Sequence, residues 1–502
     1  MMTNLLNNAT WPQSRFLDRD RPARIRAVCL LLEPLLRAHA ARVHVPGVAY
    51  GVIAGGELIF THSFGVRSVY GQEPVDSDTI FRIASMTKSF AAAAILHLRD
   101  AGRLRLDEPA ASYVPELAPL QYPTTDAAPI TVRQLLTMSA GWPEDDPWAD
   151  RQLYRSDAAM SAFYQAGVSW SNPPGVTFEY SNYGYMVLGR IITNVAGEPA
   201  VHYINRTLLQ PLGMASTVWD AAAVAPDRLA HGHRWEDDVW KEEELLPCGG
   251  DVAAFAGILT SVRDLARWVT FFLDAWPPRD DHDAGPLRRS SRREMQQIGA
   301  AYVPELTVPT AGGATRMRTG GYGFGLQINH DGRLCSVGHG GGLPGFGSHM
   351  RWLPDYDLGI VVLGNVTYAG YRDLCTAALE QLVDGAQLQP RQTQIAPALA
   401  AAQAGVLRLM TAWDDELAAT LFADNLLLDS DAAHRQRAFA ECVEKHGPLR
   451  PDGALVAENW LRGHWRMTGE EGWVDIAISL SPTVPPRVQE LAFTSSFDTA
   501  SP

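Results

Sequence analysis

Ser85 and Lys88 stand three residues apart in Phe81-Arg-Ile-Ala-Ser85-Met-Thr-Lys88-Ser-Phe-Ala-Ala-Ala-Ala-Ile-Leu-His-Leu98, a run with helical spacing. An offset of three puts the hydroxyl and the amine on one helix face. Serine is a poor nucleophile until a base within hydrogen-bond reach takes its proton, and lysine is such a base only if burial or neighbouring charge brings its pKa toward neutrality. A helix start also aims backbone N–H groups at a developing oxyanion. The spacing therefore suits covalent acyl transfer. Taken alone it more often describes a capping serine and a solvated lysine. Lysine is scarce, however: Lys88, Lys241 and Lys445 are the only three in the chain.

Two later segments decide between these readings: Pro174-Gly-Val-Thr-Phe-Glu-Tyr180-Ser-Asn182-Tyr-Gly-Tyr185 and Gly338-His339-Gly340-Gly341-Gly342-Leu-Pro-Gly345-Phe-Gly347. A phosphate cradle would need a helix and a Lys-Ser or Lys-Thr pair after the glycines, and neither follows. An α/β-hydrolase with His339-Gly-Gly-Gly342 at its oxyanion site would need a G-x-S-x-G, and Thr137-Met-Ser139-Ala-Gly141 is the nearest miss. His231-Gly-His233 has no second metal-binding cluster and reads as surface loop. In contrast, Ser85-x-x-Lys88, Tyr180-x-Asn182 and His339-x-Gly341, in that order, resemble the motifs of the serine β-lactamase and penicillin-binding-protein superfamily, in its class C β-lactamase, D-aminopeptidase and esterase branch. The resemblance spans about Pro46 to Asn365. It takes in Ile130 to Gly141, Pro211 to Thr217 and Gly257 to Trp268.

The resemblance implies a β-lactamase-like α/β (α+β) fold with the site between the sheet and a helical region. It makes Ser85 the acylated nucleophile and Lys88 its proton acceptor. Tyr180 becomes a second base, a phenolate if Lys88 and a protonated His339 stabilise it. Asn182, His339 and Gly341 would bind substrate, and the backbone N–H groups of Ser85 and Gly342 would form the oxyanion hole. No cofactor and no metal are called for. In the lactamases and D,D-peptidases the triad is Lys-Thr-Gly or His-Thr-Gly, which offers a cation and a hydroxyl to a substrate carboxylate. Here Gly340 removes the hydroxyl, and an imidazole is mostly neutral above about pH 6.5. Losing a charge-assisted hydrogen bond forfeits roughly 1.5 to 3 kcal/mol. Uncharged esters or amides are therefore the expected substrates. β-Lactams or stem peptides are the alternative, and a non-enzymatic binding module is the reading from another class. The acidic stretch Pro143 to Asp150 either borders the cleft and receives an ammonium group or is a solvated loop.

Positioning these residues requires a sheet built from both ends of the domain. Val48 to Ala54 and Glu57 to Phe64 flank Gly55-Gly56 as a hairpin. Tyr322 to Asn329, Arg333 to Val337, Ser348 to Leu353 and Leu358 to Leu363 read as strands, with helices over Ile25 to Ala41 and Tyr371 to Val383. The expected organisation is an N-terminal tail 1–24, a hydrolase domain 25–386, a linker 387–397 and a small α+β domain 398–502 of unknown role. That last unit would hold helices at Leu407 to Phe422 and Ala432 to His446 and a strand at Trp473 to Leu480. At 502 residues and 46% apolar content the chain buries sizeable cores, and a net charge of −14 disfavours nucleic acid and anionic membranes as partners. A small molecule or peptide substrate remains, with the oligomeric state open. Five unpatterned cysteines point to free thiols in a reducing compartment, and the arginine-studded start lacks a secretory signal. A cytoplasmic location is expected.

Overall fold

The computed structural model describes residues 13–145, 150–307 and 316–496. It divides into two compact units, Asp18–Gln389 and Met1–Leu17 together with Pro390–Pro502.

The larger unit is built on strands β1 (Gly47–Ala54), β2 (Glu57–Gly65), β3 (Ala300–Ala301), β4 (Arg316–Tyr322), β5 (Gln327–His330), β6 (Cys335–Leu343), β7 (Phe346–Leu353) and β8 (Leu358–Gly364). Their order is β2-β1-β8-β7-β6-β5-β4-β3, every pairing antiparallel, so the first hairpin docks on the last strand. Side chains alternate between faces. From β1, Ala49 and Ile53 enter one core, while Val48, Tyr50 and Val52 enter a second. Helices α1 (Arg21–Cys29), α2 (Glu33–Arg42) and α6 (Arg372–Gly385) supply Ile25, Leu36 and Leu379 to the second core. The first core is filled by α3 (Thr87–Asp100), α4 (Asn182–Ala196) and α5 (Val262–Leu273). The fold is thus the mixed β-lactamase-like sandwich with an inserted helical region.

The single helix expected over Ile25 to Ala41 is two. Pro34 lies in the first turn of α2, where its ring is tolerated, but a continuous helix would drive it into the Leu30 carbonyl. The strand expected over Tyr322 to Asn329 is broken by a turn at 323–326 that includes Gly325 at φ 69°. Of His231-Gly-His233, expected as a surface loop, only His231 is exposed: Gly232–Glu236 pairs with Val239–Glu243, and His233 on that hairpin is fully buried. Among the described residues no helix is long and apolar enough to cross a membrane.

The smaller unit packs helices α7 (Pro397–Thr411), α8 (Asp415–Leu421), α9 (Asp424–Asp429) and α10 (Ala432–His446) with a four-stranded antiparallel meander. The meander comprises β9 (Arg450–Ala457), β10 (Arg462–Gly469), β11 (Gly472–Leu480) and β12 (Val488–Ser495). Leu399, Val406, Phe439, Trp465 and Ile476 share its core. The helix expected over Leu407 to Phe422 is interrupted because the Asp414 carboxylate caps a new helix, accepting from Glu416 and Leu417 N–H at 3.0 and 3.1 Å.

Candidate active site

Ser85 lies in a 3₁₀ turn, Ala84–Met86, that runs directly into α3. Ala84 has φ 50°, in the left-handed region that costs a residue with a Cβ roughly 1 to 2 kcal/mol. The neighbouring Ile83 is pinned from two sides: its N–H donates to the Ile258 carbonyl at 3.0 Å, and its carbonyl accepts the Ser348 hydroxyl at 2.9 Å. β6 closes against the same turn at Gly341, where a Cβ would fall 2.0 Å from the Ile83 oxygen. Gly341, expected at the substrate, therefore also lets the strand reach the nucleophile's turn. From Phe81 to Leu96 every residue except Ser85 is buried.

One helical turn on, Lys88 is fully buried, and its Nζ donates to Ser85 Oγ at 2.9 Å, Asn182 Oδ1 at 2.8 Å and the Phe255 carbonyl at 3.2 Å. The Tyr180 ring lies 4.9 Å from the same nitrogen. Burial brings the Lys88 pKa down from 10.5 to about 7, against the nearby Asp150 and Asp145 carboxylates, which hold it up. An amine at that value is neutral half the time at pH 7. Tyr180 moves the other way: burial drives its phenol well above the usual range, and the hydrogen bond with Ser85 offsets this only in part.

Asn182 is the first residue of α4. Its Oδ1 holds Lys88 and its Nδ2 donates to the Asp145 carbonyl at 3.0 Å. The Asp145 carboxylate caps that helix, accepting from the Asn182 and Tyr183 N–H groups, each at 2.8 Å, and from the Ser181 hydroxyl at 3.1 Å. A carboxylate at a helix start is favourable. One acidic residue of the Pro143 to Asp150 stretch thus positions the site, and Asp150 accepts from the Tyr368 hydroxyl at 2.6 Å. Residues 146–149 of that stretch lie outside the described residues.

His339 is buried, with Nδ1 donating to the Gly340 carbonyl at 2.6 Å and Nε2 accepting from the Tyr322 hydroxyl at 3.0 Å. Burial and the Lys88 charge lower its pKa to about 3. The expectation of a protonated His339 supporting a Tyr180 phenolate is overturned: burial disfavours a charged imidazole, and the protonated form of Lys88 disfavours it further. Gly342 stands near the end of β6. Leu343 and Phe346 pair around the two-residue turn Pro344-Gly345, and hydrogen-bonded pairs alternate along the ladder, so the Gly342 N–H points away from β7. β5 extends no further than Gly338, leaving that side of β6 an open edge.

Ser85, Tyr180, His339 and Gly340 to Gly342 line one cavity of about 300 Å³. Tyr180, Gln327 and Arg372 continue it into a groove of about 510 Å³ beside Tyr302 and Arg318. Every sequence-predicted site residue is thus at or directly behind this cavity. Sequence reasoning missed Asp145, Tyr322, His349 and Arg372, because each reaches the site through a helix cap, strand register or the start of a distant helix rather than through a local motif.

The beta-lactamase family model matches residues 32–383. The protein named flp from Staphylococcus aureus (strain NCTC 8325 / PS 47) is 28% identical over 339 residues, 67% of this chain, and the chain spans only 62% of that relative's length. The D-alanyl-D-alanine-carboxypeptidase/endopeptidase AmpH of Escherichia coli (strain K12) is 25% identical over 63% of this chain and 78% of its own. Among solved structures, an octameric penicillin-binding protein homologue from Pyrococcus abyssi superposes with a TM-score of 0.57 over 90% of both chains at 22% identity. A penicillin binding protein from Bacillus halodurans gives 0.54 over 69% of this chain and 99% of its own at 23% identity. With its fold, its ordered motifs and a family match over most of its length, the chain belongs to the beta-lactamase family.

Proposed function

We propose that the protein is a serine hydrolase that cleaves ester or amide bonds through an acyl-enzyme on Ser85. The 2.9 Å contact between a fully buried Lys88 and Ser85 Oγ is the observation that carries this reading. Neutral Lys88 takes the hydroxyl proton as Oγ attacks the substrate carbonyl carbon. The carbonyl electron pair moves onto oxygen, facing the N–H groups of Ser85 and Gly342. As the C–O or C–N bond breaks, the proton returns from Lys88 to the leaving group, with the neutral Tyr180 hydroxyl as relay. Water then repeats the cycle on the acyl-enzyme. Tyr180 serves as a neutral relay rather than a standing phenolate, since its burial favours the protonated form.

Uncharged esters or amides are the favoured substrates, because His339 stays neutral and Gly340 carries no hydroxyl. A second reading, cleavage of carboxylate-bearing peptides, draws on the Arg372 guanidinium at the cavity and on the carboxypeptidase name of the Escherichia coli relative. Small molecules or peptides, not nucleic acid or membrane, are the proposed partners. All five cysteines are free thiols, which favours a reducing, cytoplasmic setting. The test is a fluorophosphonate probe followed by mass spectrometry of the adduct. Labelling at Ser85, abolished in Ser85→Ala along with the burst from a p-nitrophenyl ester, is expected. An unlabelled wild-type protein, or an unaltered burst in the variant, refutes it.

A further inference from the structure

His349 is the cross-strand partner of Gly340, the middle residue of the His339-Gly340-Gly341 triad. Its ring lies across that glycine: a Cβ at Gly340 would stand 3.0 Å from His349 Nδ1. The imidazole therefore occupies the space that a side chain at 340 would claim, and it lines the same cavity as Ser85 and Tyr180.

The tautomer of this ring is fixed from behind. Arg351 Nε donates to His349 Nε2 at 3.2 Å, and a guanidinium has no other role than donor, so Nε2 is the acceptor and Nδ1 carries the hydrogen. Arg351 is itself held by the Ser336 hydroxyl at 3.0 Å, and both side chains are buried. The groups facing the ring are cationic or neutral: Arg351 behind it, His339 from the neighbouring strand β6, and Arg372 from α6. They act with burial to keep it uncharged. Among the described residues no protein acceptor takes up Nδ1–H.

We propose that His349 is a specificity-determining residue whose Nδ1–H, exposed to the cavity by the absence of a side chain at Gly340, donates to an uncharged acceptor oxygen of the substrate beyond the scissile carbonyl. This rests on the serine-hydrolase reading above and adds the substrate class to it: esters or amides carrying a second carbonyl, such as a carboxamide. The donor is neutral, so its contribution holds steady across pH 6 to 9, unlike that of a histidinium.

The test compares kcat/KM for acetate esters of 3-hydroxybenzamide and of 3-methylphenol, and for phenyl esters of N-acetylglycine and pentanoic acid. One member of each pair carries the acceptor. Wild type should favour the acceptor in at least one pair. His349→Leu should cut that preference about three- to tenfold, mainly through KM, the worth of one neutral hydrogen bond. His349→Gln, whose amide can accept from Arg351 and donate to substrate, should retain it. Gly340→Thr with His349→Ala should recover part of it by placing a hydroxyl where the ring lay. If His349→Leu does not fold, the other two variants carry the comparison. Equal losses on both members of each pair, or a wild type without preference, overturn the proposal. Failure of the hydrolase reading looks different: Ser85 then takes up no fluorophosphonate in any variant.

Discussion

Replacing Lys88 by methionine makes the buried amine visible as a pH-dependent stability difference. The folded amine titrates at about 7 against an ordinary 10.5. Between those values the unfolded chain holds a proton that the folded chain does not, so wild-type stability rises with pH across that window. Below about pH 7 the folded state bears the whole cost of a buried ammonium, and above 10.5 it bears none. At roughly 1.4 kcal/mol per pH unit the full window is worth about 5 kcal/mol. From pH 7 to pH 9, with the amine half protonated at the start, the integrated gain is about 2 kcal/mol. Methionine also strips Asn182 Oδ1 and the Phe255 carbonyl of a donor, but that loss does not change with pH and cancels in the difference. The assay is urea denaturation of both proteins at pH 7 and pH 9, followed by tryptophan fluorescence. Wild type should gain about 2 kcal/mol relative to the variant on going to the higher pH. A difference that stays flat within about 0.5 kcal/mol means that Lys88 keeps an ordinary pKa and is no base at neutral pH.

The ester kcat/KM of the wild type should climb through about pH 7 and level off above it, in step with Lys88 losing its proton; a rise centred near pH 10 refutes this. Asp145→Asn removes a charge that holds the Lys88 pKa up, so the same limb should move to lower pH, an unmoved limb being the contrary result. Lys88→Ala and Tyr180→Phe should each cost more than about a hundredfold in kcat, and together far less than the product; multiplicative losses mean that the two do not act as one unit. Nitrocefin turnover should be poor and should fall from pH 8 to pH 6, since His339 gains no charge there and Lys88 does; an increase toward pH 6 contradicts the neutral imidazole.

Much of the framework was legible in the sequence because it is written in local periods. The hairpin around Gly55-Gly56 and the strands ending the domain are short β-rich runs bounded by turn residues, and the sheet assembles from both ends of the domain. Ser85 and Lys88 were legible for the same reason, a three-residue offset on a helix. The break at Pro34 was not legible in the apolar period over Ile25 to Ala41, because periodicity does not see the clash of its ring with a carbonyl four residues earlier. The charge state of His339 was not legible, since it depends on burial and on the Lys88 charge, which only the folded chain brings about. Asp145 looked like part of an acidic surface run because a carboxylate that caps a helix 37 residues downstream leaves no local spacing. His349 is invisible for a related reason: its relation to Gly340 is a matter of strand register.

The first ten residues of α3, from Thr87 to Leu96, are all buried, and four consecutive alanines, Ala91 to Ala94, let its backbone sit deep among neighbouring helices. Backbone amides in such a place exchange with solvent only when the whole domain opens, whereas sites carried on loops can melt by themselves. The nucleophile is therefore mounted on what should be the slowest-exchanging segment of the unit. Inactivation on warming would then follow loss of the domain as a whole, with no range of temperature in which the protein is folded but its serine is already misplaced. Deuterium uptake in peptides covering 87–96, set beside residual probe labelling during a thermal ramp, should trace one transition.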